Sequence, residues 1–229
     1  MRWRLENGTL KVQYCNSDQW NIDGLDKMLT VTLPRTTLEA LSIATVSAGI
    51  RVPSLSAYSV ECSTTSGNVA ASLSDASEIR VQTISGAVDV TSTADAARVD
   101  VNSTSGAVDL RLGRVEVLDA VTISGRLSIS AGHIVQMDAG STSGDVSLSL
   151  SESCDACTIR TISGGVALML PEDAGFSLRF GTVSGALDSE IALRSKDGVQ
   201  IAGDGAQQFD IHTTSGSLML RTEREAAEK

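Results

Sequence analysis

Aromatic residues make up only 3% of this 229-residue chain. A core of large ring clusters is therefore excluded, and thin layers of Val, Leu, Ile and Ala must fill the interior. No apolar run approaches the roughly 20 residues that a membrane-spanning helix needs. The opening Met1-Arg2-Trp3-Arg4 is polar and holds no signal-peptide core. Positive charge is scarce: 18 Lys and Arg face 28 Asp and Glu, a net charge of −10. Nucleic acid and anionic lipid both need a basic surface, so neither is expected as a partner. A 3.6-residue apolar stripe is also missing, which argues against amphipathic helices.

What the chain has instead is a repeat. Take the Gly of each Ser-Gly pair as a zero mark. It falls at Gly67, Gly86, Gly106, Gly125, Gly144, Gly164, Gly185 and Gly216, at intervals of 19, 20, 19, 19, 20, 21 and 31 residues. Ala48 marks a hidden earlier copy, 19 residues before Gly67. A fixed period near 20 is the signature of stacked supersecondary units. Each copy is apolar at seven and five residues before the mark, as in Ile79 and Val81, and at two after it, as in Val88; four after is aliphatic too, as in Val90, with Ser189 the exception. Alternate positions share one face, so these are strands of period two. Parity changes across the mark, which calls for a corner there. Glycine suits a corner because it reaches positive φ without a Cβ clash, and the preceding Ser can bond to local backbone.

These features predict an all-β fold: one elongated β-solenoid of about nine coils of 19–21 residues, with parallel ladders between coils. Coils about 4.8 Å apart would make a rod of roughly 40 Å. Residues 1–34 read as N-terminal strands or a cap, with Asn7-Gly8 as a hairpin turn and Leu29, Val31 and Leu33 alternating up to Pro34. Residues 35–221 read as the coils. The 31-residue interval implies a hairpin-like insertion near 190–206, either a cover for the last open edge or a merely tolerated loop, after which Gly203-Asp204-Gly205 returns the chain to the last coil. Residues 222–229 form a charged tail, expected to fray.

Candidate chemistry is sparse. Cys154 and Cys157 have the spacing of a redox or zinc half-site, but zinc needs four ligands, and Cys15 and Cys62 belong to distant parts of the stack. Cys62 and Cys157 fall on inward slots, where packed thiols are expected. His133 falls at a corner and His212 on an outward slot of another coil, so no Ser-His-Asp arrangement is expected. The Thr and Ser residues three before each mark face inward, where structural hydrogen bonding is expected rather than an ice-binding array. Six before the mark, stacking places Arg80 between Glu61 and Asp100, an ion-pair ladder. It then brings Asp100, Asp119 and Asp138 together as consecutive carboxylates, a weak candidate site for a divalent cation. Asp89 and Asp109 form a similar pair on the other strand. No catalytic residue and no cofactor is expected.

Four stretches carry a resemblance: Leu29-Thr30-Val31-Thr32-Leu33-Pro34, the serial Thr-x-Ser-Gly-x-Val pieces, Gly203-Asp204-Gly205, and Thr213-Thr214-Ser215-Gly216-Ser217-Leu218. In these the chain resembles a bacterial adhesin-like family of unknown-function domains built from Ser-Gly β-strand repeats. The resemblance implies a solenoid-like β fold and a cell-envelope setting. It implies no enzyme chemistry and supplies no catalytic residues. The expected function is a non-enzymatic structural or binding module whose partner is a protein or a glycan. A carbohydrate-active solenoid and a scaffold that self-associates through its ends are the alternatives.

Overall fold

The computed structural model describes residues 2–13, 28–33 and 36–223. Residues 1–36 and 37–229 form separate compact units. In the first, β1 (Arg2–Glu6) and β2 (Thr9–Gln13) pair antiparallel about Asn7 and Gly8, whose φ values of 48° and 78° fit the two-residue turn expected there. The alternating stretch ahead of Pro34 does not form a strand. Residues 28–33 have no ladder partner among the described residues, and Met28, Leu29 and Val31 are exposed. Cys15, Trp20, Pro34 and most of the charged tail lie outside the described residues.

The second unit is a β-solenoid. Its early coils comprise β3 (Leu38–Ala44), β4 (Ile50–Thr64), β5 (Val69–Asp75), β6 (Glu78–Thr83), β7 (Val88–Ser92) and β8 (Ala96–Ser103). The long strands β9 (Val108–Thr122), β10 (Leu127–Ser141) and β11 (Val146–Thr161) bend through the second corner of each coil, with a register shift between Ala131 and His133. The late elements are β12 (Val166–Leu170), β13 (Phe176–Thr182), β14 (Leu187–Ser189), β15 (Arg194–Lys196), β16 (Val199–Ala202), β17 (Gln207–Thr213) and β18 (Leu218–Thr222). Equivalent residues pair in parallel register, as in Val88↔Val108 and Leu127↔Val146. Nine corners bound about seven turns of 19–21 residues, followed by the longer return.

The expected inward rows are buried throughout the middle of the stack. Two further rows join them at the second corner. Leu73, Leu112, Ala131 and Leu150 lie six after the mark, and Ala57, Ala96, Val115 and Ile134 lie ten before the next. Each full coil therefore layers six side chains, and each large one stabilises by about 1.5–3 kcal/mol. Ser92 occupies this row at 2% exposure, and its Oγ has no partner. An unpaired buried hydroxyl costs about 1–3 kcal/mol. Ser92→Ala should accordingly raise the melting temperature by about 2–4 °C; calorimetry showing a lower value would refute this.

The corner glycines have a different reason from the one expected. None has positive φ; among described glycines that conformation occurs at Gly8, Gly198, Gly203 and Gly205. The constraint is close approach. A Cβ on Gly86 would lie 1.8 Å from the carbonyl oxygen of Gly67, and the other corner glycines meet the preceding mark residue at 1.8–2.0 Å. Ala48, at the first mark, is exposed, and among the described residues of this unit no earlier coil supplies that carbonyl. The local bond also differs. The residue three before the mark, not the Ser, caps the corner: Thr64, Thr83, Ser103, Thr122, Ser141, Thr182 and Thr213 each accept the glycine N–H at 2.8–3.1 Å. The Ser hydroxyls instead reach back to the preceding coil, as Ser105 donates to Ile84 O at 3.1 Å.

The order of coils corrects the sequence reading most. After β12 the chain skips a position. β13 and β14 are laid down one coil too far, and the antiparallel hairpin β15–β16 then pairs along β13. The chain returns, and β17 enters between β11 and β13 while β18 enters between β12 and β14, all in parallel. In space Gly216 follows Gly164, and Gly185 comes last. The hairpin does cover a late edge, but the last coil in sequence is the last but one in the stack.

Candidate functional site

The second residue before each mark lies on the exposed side of the corner. In spatial order this row runs Val46, Thr65, Ile84, Thr104, Ile123, Thr142, Ile162, Thr214, Val183. Aliphatic and hydroxyl side chains alternate without a break. In chain order Val183 would follow Ile162 and spoil the pattern; insertion of the C-terminal coil restores it. Ile84, Ile123 and Ile162 are about half exposed, at 53%, 49% and 52%. Beside this row runs an unbroken file of nine serines, from Ser47 to Ser184. The result is a ridge with an apolar anchor every second coil, roughly 9.6 Å apart. It is held by the buried Thr and Ser caps beneath it.

The carboxylate row is present but satisfied. Asp100, Asp119 and Asp138 are in register on adjacent strands. Arg80 lies 3.6 Å from Asp100, Arg98 pairs with Asp119, and Arg160 lies 3.3 Å from Asp138. Three guanidinium groups supply the counter-charge that a cation would bring. Among the described residues no group of three or more His, Cys, Asp or Glu could hold a metal ion. Glu61 adjoins Arg80 in register but accepts a hydrogen bond from Ser42 at 3.3 Å. Asp89 and Asp109 also stack, and Arg111 bonds Asp89 at 2.9 Å.

The cysteines sit in the core. Cys62, Cys154 and Cys157 are 0–2% exposed and free. A hydrogen bond with Cys154, together with burial, pushes the Cys157 thiol up. Burial, with Glu61 adding to it, raises Cys62 to about 11. Cys62 and Cys157 are protonated, weakly nucleophilic thiols. The folded state binds the Cys62 proton more tightly than the unfolded chain. Stability should therefore hold below pH ~9 and fall between ~9 and ~11, by at most about 1.4 kcal/mol per pH unit for this thiol. Urea titrations across that window should show the fall, and Cys62→Val should shrink it, Cys157 retaining its own share.

One gathering was missed from sequence. His133 and His212 lie on different coils, as expected. An extra residue on β11 between Leu150 and Ser153, however, shifts the register and sets Ser153 opposite His133. Its Nδ1 meets Ser153 Oγ at 2.5 Å, and its Nε2 lies 3.7 Å from Asp155. In serine hydrolases the nitrogens have the opposite roles, with the hydroxyl on Nε2. His212 rests over Gly181 and pairs with Asp210 at 2.8 Å. An open depression of about 440 Å³ lies here, lined by Arg160, Gly181 and His212. Another, of about 460 Å³, is edged by the carboxylates of Glu152, Asp173 and Asp204.

A family model matches residues 2–221, described as Toastrack DUF4097. The chain belongs to the Toastrack family. No curated protein and no solved structure matches it. The Toastrack domain is a solenoid of unknown function. No helix among its described residues is long and apolar enough to cross a membrane.

Proposed function

We propose that this Toastrack domain is a non-enzymatic binding module of the bacterial cell envelope, with an adhesin-like role in contacting a partner along its corner ridge. The supporting observation is the alternation of aliphatic and hydroxyl side chains, kept in spatial order even where chain order would break it. Apolar side chains scattered singly over a surface need no explanation, but these are aligned on one ridge beside a polar file, as at an interaction surface, and selection on a single coil could not produce a pattern that spans coils. A ridge with anchors roughly 9.6 Å apart suits an extended partner with its own repeat. A polysaccharide strand fits this better than a compact protein, and the serine file offers it hydroxyl partners. Sedimentation with insoluble bacterial cell-wall glycan tests the reading. Ile84→Lys, Ile123→Lys and Ile162→Lys together should lower binding about tenfold or more, with the melting temperature nearly unchanged. Binding that ignores the triple variant, or release of soluble sugar by the wild type, would overturn it.

A further inference from the structure

The C-terminal coil fills a slot that the rest of the chain has already built. Its two strands lie between edges contributed by residues 146–170 on one side and 176–189 on the other. Without it, two parallel edges would face each other across one empty rung, with the Phe209, Ile211, Leu218 and Leu220 layers vacant. These four are 0–1% exposed. The coil connects backward only through residues 203–206, where Gly203 and Gly205 have φ of 54° and 74°. A Cβ on Gly203 would lie 2.9 Å from Gly175 Cα, so the return loop is tight as well as left-handed. The last described residue, Glu223, still bonds the stack, its N–H donating to Leu170 O at 2.8 Å, and both strands of the coil are paired on either side. We propose that the slot is a self-recognition site: it accepts Gln207–Thr222 from a second copy of this chain, giving a dimer by reciprocal exchange of the C-terminal coil.

The slot selects this segment over a generic strand. A glycine must stand at the mark, because a Cβ on Gly216 would lie 2.0 Å from Gly164 O. An aromatic ring must stand at 209, because Phe176 waits beside it at a centroid distance of 5.1 Å. Within one chain the tether gives the coil an effective concentration on the order of millimolar, so exchange rises with protein concentration or with strain in the loop.

Arg160 and His212 are exposed neighbours in register on adjacent parallel strands. That spacing is within reach of a disulfide. Arg160→Cys and His212→Cys are made in separate full-length chains, unfolded together and refolded at about 1 mM, near the tether concentration. A disulfide-linked heterodimer should form that neither single variant forms alone. Adding Gly203→Val and Gly205→Val to both chains should raise its yield about tenfold, because opening the loop relieves the strain. The double variant Arg160→Cys/His212→Cys in one chain is the internal standard. If it closes its disulfide at the same concentration while the mixed chains give no heterodimer, with or without the loop changes, exchange does not occur. If the standard itself fails to close, the intercalated order is wrong and the proposal falls with it.

Discussion

Gly125→Ala should destabilise the solenoid by about 4 kcal/mol or more, a loss of roughly 10 °C in melting temperature. The new Cβ would lie 1.9 Å from Gly106 O and 2.9 Å from Thr122 Oγ1. The first of these is backbone and cannot swing aside. Relief requires the two coils to part at the corner. That breaks the flanking bonds from Ser124 N to Thr104 O at 3.0 Å and from Val108 N to Arg126 O at 2.8 Å. It also tears the ridge between Thr104 and Ile123. The comparison that isolates the cause is Gly140→Ala, on the same strand system. There the nearest atom is Arg160 O at 3.6 Å, ordinary contact, so the change should stay within about 0.5 kcal/mol. If glycine served only to flex the chain, the two substitutions would differ little. Thermal or urea denaturation showing equal losses would refute the close-approach explanation.

Close approach also explains what was readable in advance. The corner glycines, the four alternating rows and the inward hydroxyls all repeat at fixed intervals, because each coil must present the same shape to the next. The two rows at the second corner escaped because the chain turns there. Ala131 and Ile134 are an odd number of residues apart yet both buried, so parity counted from the mark fails before it reaches Ile134. An extra residue on β11 then sets Ser153 opposite His133, a contact no spacing rule contains. The intercalated coil escaped for another reason. Its strands obey the repeat as well as any others, so the pattern places them in a coil but not at a height in the stack. One signal was available. The row of Ile and Thr before the marks alternates from Val46 to Ile162 and then fails at Val183, unless Thr214 is set between them. The ridge pattern thus carries information about neighbours in space, which chain order conceals.

Phe209→Ala should cost about 3–5 kcal/mol, with the damage confined to one end. Phe209 and Phe176 stack at 5.1 Å with their planes 20° apart, and both are at most 1% exposed. They sit where the skipped position is filled: Phe209 lies in register between Cys157 on β11 and Leu178 on β13. Small aliphatic layers fill the regular coils, but here a ring pair spans two neighbouring rungs. Removing one leaves a void that its neighbours cannot close, because parallel ladders on both sides fix the strand spacing. In a linear stack stability is nearly a sum of coil and nearest-neighbour terms. The loss should therefore open residues 176–222 while leaving the central coils closed. Amide exchange in Phe209→Ala should show lost protection across β13 and β16–β18, and wild-type protection in β7, β9 and β10. Phe180→Ala, at a half-buried position on the outer coil, should do much less. Uniform loss of protection along the whole solenoid would mean that the stack melts as one body. The C-terminal coil could then not leave its slot while the slot persists, which is the condition that exchange between copies requires.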